Sequence, residues 1–222
     1  MINVKLFTFN FFGENTYLLY DETKEAILVD CGCIDQYEEE TLSGFIDKNN
    51  LTLKRLLNTH YHFDHVIGNA YIFRRYGIRP EIHREEKNAN SPTLNMQASK
   101  FGIPMNFEEI EPLRNIEDNE DIHFGSSVIT AILVPGHSPA SLAFYSKADH
   151  FVIAGDVLFL GSIGRTDLWG GNFSTLISSI RNRLLTLPDN TVVYPGHGPS
   201  TTISAEKKDN PYLFSKIPGR HE

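Results

Sequence analysis

Polar and apolar residues alternate over Met1-Ile2-Asn3-Val4-Lys5-Leu6, the two-residue period of a strand with one buried face. That run and two further apolar stretches predict strands at about 2–9, 15–20 and 26–30, with a turn at Gly13-Glu14-Asn15. Tyr37, Leu42, Phe45 and Ile46 then recur at helical spacing and predict a helix over about 36–49. A strand over about 53–58 follows, then a helix over about 66–76 closed by Gly77 with Pro80 beyond. Residues 84–118 are irregular and polar, with a helix expected around 94–101 and prolines at 104 and 112. Strand character returns at about 128–134, 141–145 and 151–153. A helix over about 174–186, capped by Ser174, leads to a last strand at about 191–194. A short helix near 203–208 precedes a tail with Pro211 and Pro218. Strands thus come in two groups, each trailed by helices. Two packed sheets with helices outside satisfy that order better than a doubly wound parallel sheet, which needs stricter strand–helix alternation. With no repeat and no linker-like stretch, a single domain over 1–222 is expected.

Composition narrows the class. Apolar residues make up 41% and charged residues 22%, as in ordinary globular chains. No stretch approaches the ~18 consecutive apolar residues of a membrane span. The first residues lack the basic and apolar regions of a secretion signal, so a cytoplasmic protein is expected. Twenty Lys plus Arg stand against 28 Asp plus Glu, a formal charge of −8 with no basic stripe, so nucleic acid is not an expected partner. Cys31 and Cys33 flank one glycine, a spacing that would strain a bridge between them. The oligomeric state is not set by the sequence.

The histidines carry the chemistry. Three of the nine crowd into Thr59-His60-Tyr61-His62-Phe63-Asp64-His65, and two more stand at the strand ends described next. His60 and His62, two apart at a strand's end, project to one side. Asp64 and His65 lie where the chain turns into a helix and can enter the same cavity from another angle. Three later segments share one grammar, an apolar strand, a glycine, then a metal-ligand residue type: Val134-Pro135-Gly136-His137, Ala154-Gly155-Asp156 and Tyr194-Pro195-Gly196-His197. His60, His62, Asp64, His65, His137, Asp156 and His197 are too many donors for one tetrahedral ion but enough for two. Two divalent ions are therefore expected, zinc first, with iron or manganese fitting where carboxylate joins imidazole. His83, His123, His150 and His221 read as structural or solvated.

This pattern resembles the metallo-beta-lactamase superfamily, whose H-x-H-x-D-H signature stands here as His60, His62, Asp64 and His65. Val29-Asp30-Cys31-Gly32 resembles that family's V-D-P-G turn, with cysteine for proline. The resemblance runs from Asn15 to Tyr212 and implies an αββα four-layer sandwich with the site at one edge. By that resemblance, His60, His62 and His137 hold one ion, Asp64, His65 and His197 the second, and Asp156 bridges them. Asp30 corresponds to a buried carboxylate behind the ligands, or serves simply as a turn residue.

Two cations sharing a water make it acidic enough to yield a nucleophile near neutral pH. No G-x-S-x-G occurs, and neither cysteine lies in a nucleophile motif. The expected reaction is attack of a metal-bridging hydroxide on an acyl carbon, which the resemblance of two further segments implies is that of a small thioester. Gly161-Ser162-Ile163-Gly164-Arg165-Thr166-Asp167 and Pro195-Gly196-His197-Gly198-Pro199 resemble compact glyoxalase II-like hydrolases, relatives of hydroxyacylglutathione hydrolase. With 25 residues after His197, the helical extension that binds glutathione in the full-length enzymes is not expected here. Arg165 is a candidate to meet a substrate carboxylate, with an ion pair to Asp167 the competing role. Phe11 and Phe12 can wall the cleft if the first hairpin overhangs it. The alternative is a persulfide dioxygenase-like enzyme with one iron, which the same resemblance maps to His60, His137 and Asp156.

Overall fold

Strands buried on both faces read as continuous apolar runs, and the centre of this chain's first sheet is built from such runs. The computed structural model describes residues 1–88, 90–103 and 107–214. In it β1 (Asn3–Phe9), β2 (Glu14–Tyr20), β3 (Glu25–Val29), β4 (Thr52–Leu57), β5 (Pro80–Ile82) and β6 (Arg114–Asn115) form a six-stranded sheet in chain order. Pairing is antiparallel from β1 to β3 and parallel from β3 to β6. The parallel half needs crossovers, supplied by α1 (Gln36–Lys48), α2 (Phe63–Val66), α3 (Asn69–Tyr76) and α4 (Leu94–Lys100).

The second half contributes β7 (Asp121–Phe124), β8 (Ser127–Leu133), β9 (Leu142–Ser146) and β10 (Phe151–Gly155). A small hairpin of β11 (Leu158–Phe159) and β12 (Ser162–Ile163) precedes α5 (Phe173–Ser179). The chain ends in β13 (Val192–Pro195), β14 (Thr201–Thr202), α6 (Ile203–Asp209) and α7 (Pro211–Phe214). The second sheet has the order β14-β13-β10-β9-β8-β7.

Side-chain alternation sorts the layers. Ile27 and Val29 of β3 join Tyr17, Leu19 and Leu57 against Ile129, Phe144 and Ile153 of the second sheet. Leu28 points the other way, with Leu18 and Leu56, onto Leu42 and Ile46 of α1 and Ile72 of α3. Across the molecule, Val152 and Val193 pack under Leu176, Ile180, Leu184 and Ile203. The layers therefore run helix, sheet, sheet, helix, the αββα sandwich that the strand grouping predicts. Each fully buried aliphatic side chain contributes roughly 1.5–3 kcal/mol. Among the described residues no helix is long and apolar enough to cross a membrane.

Three details depart from the pattern. The helix expected over 66–76 is two pieces, α2 and α3, broken at Gly68. A Cβ on Gly68 would lie 2.5 Å from the Cys31 sulfur and 2.6 Å from that of Cys33, so the chain passes where only glycine fits. The helix expected over 174–186 begins one residue earlier, and its cap is Asn172, which accepts from the Thr175 N–H at 2.9 Å. Ser174 instead donates to Asn172 Oδ1, and the helix continues through a π turn at Ile180–Leu184. The short strands β5, β6, β7 and β14 carry too few residues to show a period, and the sequence pattern passes over them. Pro104 and Pro218 lie outside the described residues. Cys31 and Cys33 are free thiols, both buried, their sulfurs 3.4 Å apart.

Candidate metal centre

β3, β4, β8, β10 and β13 deliver their following residues to one edge of the sandwich. Past β4 the chain passes through His60 to His62, which is extended, then turns into α2, which carries Asp64 and His65. His137 follows β8, Asp156 follows β10 and His197 follows β13. Glycine is required before the last of these: a Cβ on Gly196 would stand 2.2 Å from Asp156 Oδ1 and 2.7 Å from His65 Cε1.

All seven side chains singled out in the sequence converge. His137 Nε2 lies 3.3 Å from His60 Nε2 and 2.9 Å from His62 Nδ1. His197 Nε2 lies 3.2 Å from His65 Nε2 and 3.3 Å from Asp64 Oδ2. The Asp156 carboxylate stands between the two groups, Oδ1 at 3.4 Å from His65 Nε2 and Oδ2 at 3.7 Å from His137 Nε2 and 3.5 Å from His197 Nε2. The ligating atoms of His60, His62 and His137 lie within 4.8 Å of one another, and so do those of Asp64, His65 and His197.

The outer hydrogen bonds fix which ring nitrogen faces inward. Carbonyl and carboxylate oxygens only accept, so His137 Nδ1 donates to Arg165 O at 2.8 Å, His197 Nδ1 to Phe12 O at 3.1 Å and His65 Nδ1 to Asp30 Oδ2 at 3.0 Å. The Thr59 hydroxyl donates its one proton to Asp30 Oδ2 at 2.7 Å, which leaves it accepting from His60 Nδ1 at 2.9 Å. Each of these four rings therefore turns Nε2 toward the others, as metal-binding imidazoles do. Asp30 is at once the turn residue, accepting from Thr59 N at 2.8 Å, and the carboxylate behind the ligands.

Electrostatics agree with a site built for positive charge. Burial, then the neighbouring imidazoles, hold His60 well below the usual histidine range. Burial, then His137, pushes His62 down to about 3. His65 is held well above that range, because Asp156 and Asp64 outweigh its burial. Burial raises the Asp156 carboxyl, yet His65, His137 and His197 hold it well below the carboxylate range. Asp156 Oδ1 is buried and accepts no hydrogen bond from the described residues. An orphaned carboxylate oxygen facing imidazole nitrogens within 4 Å costs too much unless a cation supplies the missing partner. The residues present fit two divalent ions.

Several supports have no signature in the sequence. Glu86, 2% exposed, accepts from Tyr61 N at 3.0 Å and from Ser138 Oγ and Ala140 N at 2.6 Å each. It thereby fastens the His60–His62 stretch to the loop after His137. Asn15 Nδ2 donates to Pro195 O and Gly198 O, and Tyr17 Oη to Pro195 O, holding the loop that carries His197. Glu14 is fully buried 3.9 Å from His65 Nδ1, and burial pushes its carboxyl well up.

A cleft of about 250 Å³ opens over the cluster, lined by Phe12, Phe63, Phe101, Arg165 and Leu168. Phe12 is the wall expected of the first hairpin, while Phe11 is 64% exposed and packs on it with ring centres 4.6 Å apart. Arg165 reaches the cleft but is held by Asp167 through two 2.7 Å hydrogen bonds. His83, His123 and His150 stand outside the cluster, and His221 lies outside the described residues.

Comparison with known proteins agrees with this geometry. The family model described as the metallo-beta-lactamase superfamily matches residues 9–197. A curated relative, hydroxyacylglutathione hydrolase GloC of Haemophilus influenzae, is 36% identical over 216 residues, 97% of this chain and 100% of its own. Among solved structures, the BLEG-1 B3 metallo-beta-lactamase superposes with a TM-score of 0.86 at 32% identity, covering 97% of this chain and 100% of that one. TTHA1623 in a di-iron-bound form gives 0.80 at 33% identity over 95% and 100%. ETHE1 from Myxococcus xanthus gives 0.75 at 26% identity over 94% and 83%.

Proposed function

The chain belongs to the metallo-beta-lactamase superfamily, and from that premise we propose that it is a dinuclear metallo-hydrolase of small thioesters, glyoxalase II-like in its reaction. The observation that carries the reading is the Asp156 carboxylate, within 3.7 Å of imidazole nitrogens from both donor groups. His60, His62 and His137 would hold one ion, Asp64, His65 and His197 the other, with Asp156 shared. Zinc suits this imidazole-rich set, and iron or manganese also suits the half that contains Asp64.

When bound, such a pair acidifies water and polarises an acyl carbonyl, which is the chemistry thioester hydrolysis requires. The chain's own residues prepare the ground for it. Asp30, Thr59, Arg165 O and Phe12 O lock the imidazoles in one tautomer, so no ring must turn before reaction. Phe12, Phe63, Phe101 and Leu168 keep bulk water off one side of the cleft and orient the substrate. Arg165 brings little net charge to a ligand, because Asp167 neutralises it. GloC's name supports a glutathione thioester as one member of the substrate class, and the neutralised Arg165 argues that the thiol carrier is not chosen by charge at that point.

Elemental analysis of protein purified without chelators, followed by a thioester panel on the same sample, tests the proposal. Two divalent equivalents per chain and thioester turnover are expected, and Asp156→Ala should lose both. One iron per chain with oxygen consumption on a persulfide would replace this reading with the dioxygenase one.

A further inference from the structure

Beside the metal cleft lies a second, narrower hollow that shares His62, Gln97, Phe101 and Leu168 with it. Tyr61, Pro92 and Trp169 complete its apolar wall. The side chains of Glu86, Gln97 and Ser91 in its lining are already engaged. The Glu86 carboxylate takes Tyr61 N, Ser138 Oγ and Ala140 N. Gln97 accepts from Phe63 N and donates to Tyr61 O and Pro92 O. Ser91 donates to Glu86 O and accepts from Asn88 N. A polar ligand atom meeting these three side chains would lose water and find them occupied, whereas a hydrocarbon loses nothing. Lys100, exposed, is the remaining charged group of the lining.

Size sets what fits. The space open to the centre of a water-sized group is about 30 Å³. One water needs roughly 10–15 Å³ on that measure, so the hollow admits a chain of about two or three carbons. A thiol carrier is too large for it and belongs in the open cleft. The wall is also rigid: Gly171 N donates to Leu168 O at 3.0 Å, and Asn172 N to Gly136 O at 2.8 Å. The Leu168-Trp169 turn is thus tied to the loop that carries His137.

We propose that this hollow is an acyl subsite, taking a short unbranched apolar acyl chain of the substrate, and that Trp169 sets its depth. The inference rests on the thioesterase reading and deepens it: specificity is read on the acyl side of the bond. Two measurements on metal-loaded protein test it. In the first, N-acetylcysteamine thioesters with acetyl, propionyl, butyryl, hexanoyl and succinyl groups are compared between wild type and Trp169→Ala. The wild type should favour propionyl or butyryl, and the hexanoyl-to-propionyl ratio of kcat/KM should rise about 10-fold or more in the variant. An unchanged ratio, or a preference for succinyl drawn by Lys100, would overturn the subsite while leaving the hydrolase standing.

The second measurement needs no turnover. Trp169 is the chain's one tryptophan, so its emission reports on the pocket alone. Butyrate should give a saturable spectral change in wild type that malonate, of similar size but charged at both ends, does not. Equal responses to the two, or none, would sink the subsite even if no thioester were ever hydrolysed.

Discussion

Glu86 shows what one side chain does in this site. It receives three hydrogen bonds on two oxygens and has no freedom left to meet a ligand. Glu86→Ala strips the partner from Tyr61 N, Ala140 N and Ser138 Oγ, and each unpaired buried group costs about 1–3 kcal/mol. Urea unfolding of the metal-free protein should therefore show a loss of several kcal/mol for the alanine variant and a smaller loss for Glu86→Gln. Asp30→Ala acts differently, by freeing the His65 ring and the Thr59 hydroxyl. It should weaken metal binding about 10–100-fold, read by competition with a chelator, since partners behind a ligand typically matter by that factor. Four of the seven inward donors were legible as a cluster within six residues, and the other three because a metal-ligand residue type recurs after glycine at strand ends. Glu86, Glu14 and Asn15 were not, because their partners lie far along the chain: Glu86 meets Ala140 across 54 positions and Asn15 meets Gly198 across 183. No local pattern encodes such a meeting.

Among the elements, strands long enough to alternate were visible and short ones were not. β2 and β3 stand where the apolar runs put them, whereas β6 and β14 have two residues each and owe their pairing to neighbours already in place. The cap of α5 lies two residues before the expected one because Ser174 and Asn172 are both good caps, and only the observed bond to Thr175 N separates them. Asn172→Ala should accordingly cost about 1 kcal/mol of stability, while Ser174→Ala should cost a few tenths at most, as thermal unfolding of the two variants would reveal. The break between α2 and α3 was hidden for a similar reason. The thiols of Cys31 and Cys33 occupy the space beside Gly68, and their position depends on a turn more than thirty residues away in sequence.

At the scale of the whole molecule the two sheets are fastened at both ends, by the hydrogen bonds around the donor cluster at one and by Asp21 at the other. Asp21, in the β2–β3 turn, accepts from Thr23 N at 2.9 Å and reaches across to Ser126 N in the β7–β8 turn and Ser127 Oγ at the start of β8, both at 2.8 Å. Burial raises its carboxyl, but the hydrogen bonds from Thr23, Ser127 and Ser126 outweigh it and hold the group well below the usual carboxylate range. A carboxyl depressed in the folded state stabilises fully above its unfolded value of about 3.9, and that contribution fades as pH falls through the folded value. Metal-free wild type should lose stability between about pH 4 and pH 2 more steeply than Asp21→Asn, measured by urea unfolding across that range. Equal slopes would show that the clasp carries no charge-dependent stability. The grip of Asn15 and Tyr17 on the Pro195–Gly198 loop bears on how the molecule is born. During synthesis Asn15 is made 180 residues before the Pro195 it holds, so the hairpin waits for its partner loop. A nascent chain can therefore gather His60, His62 and His137 before His197 has been made, and the Asp64, His65 and His197 group is the later of the two to assemble.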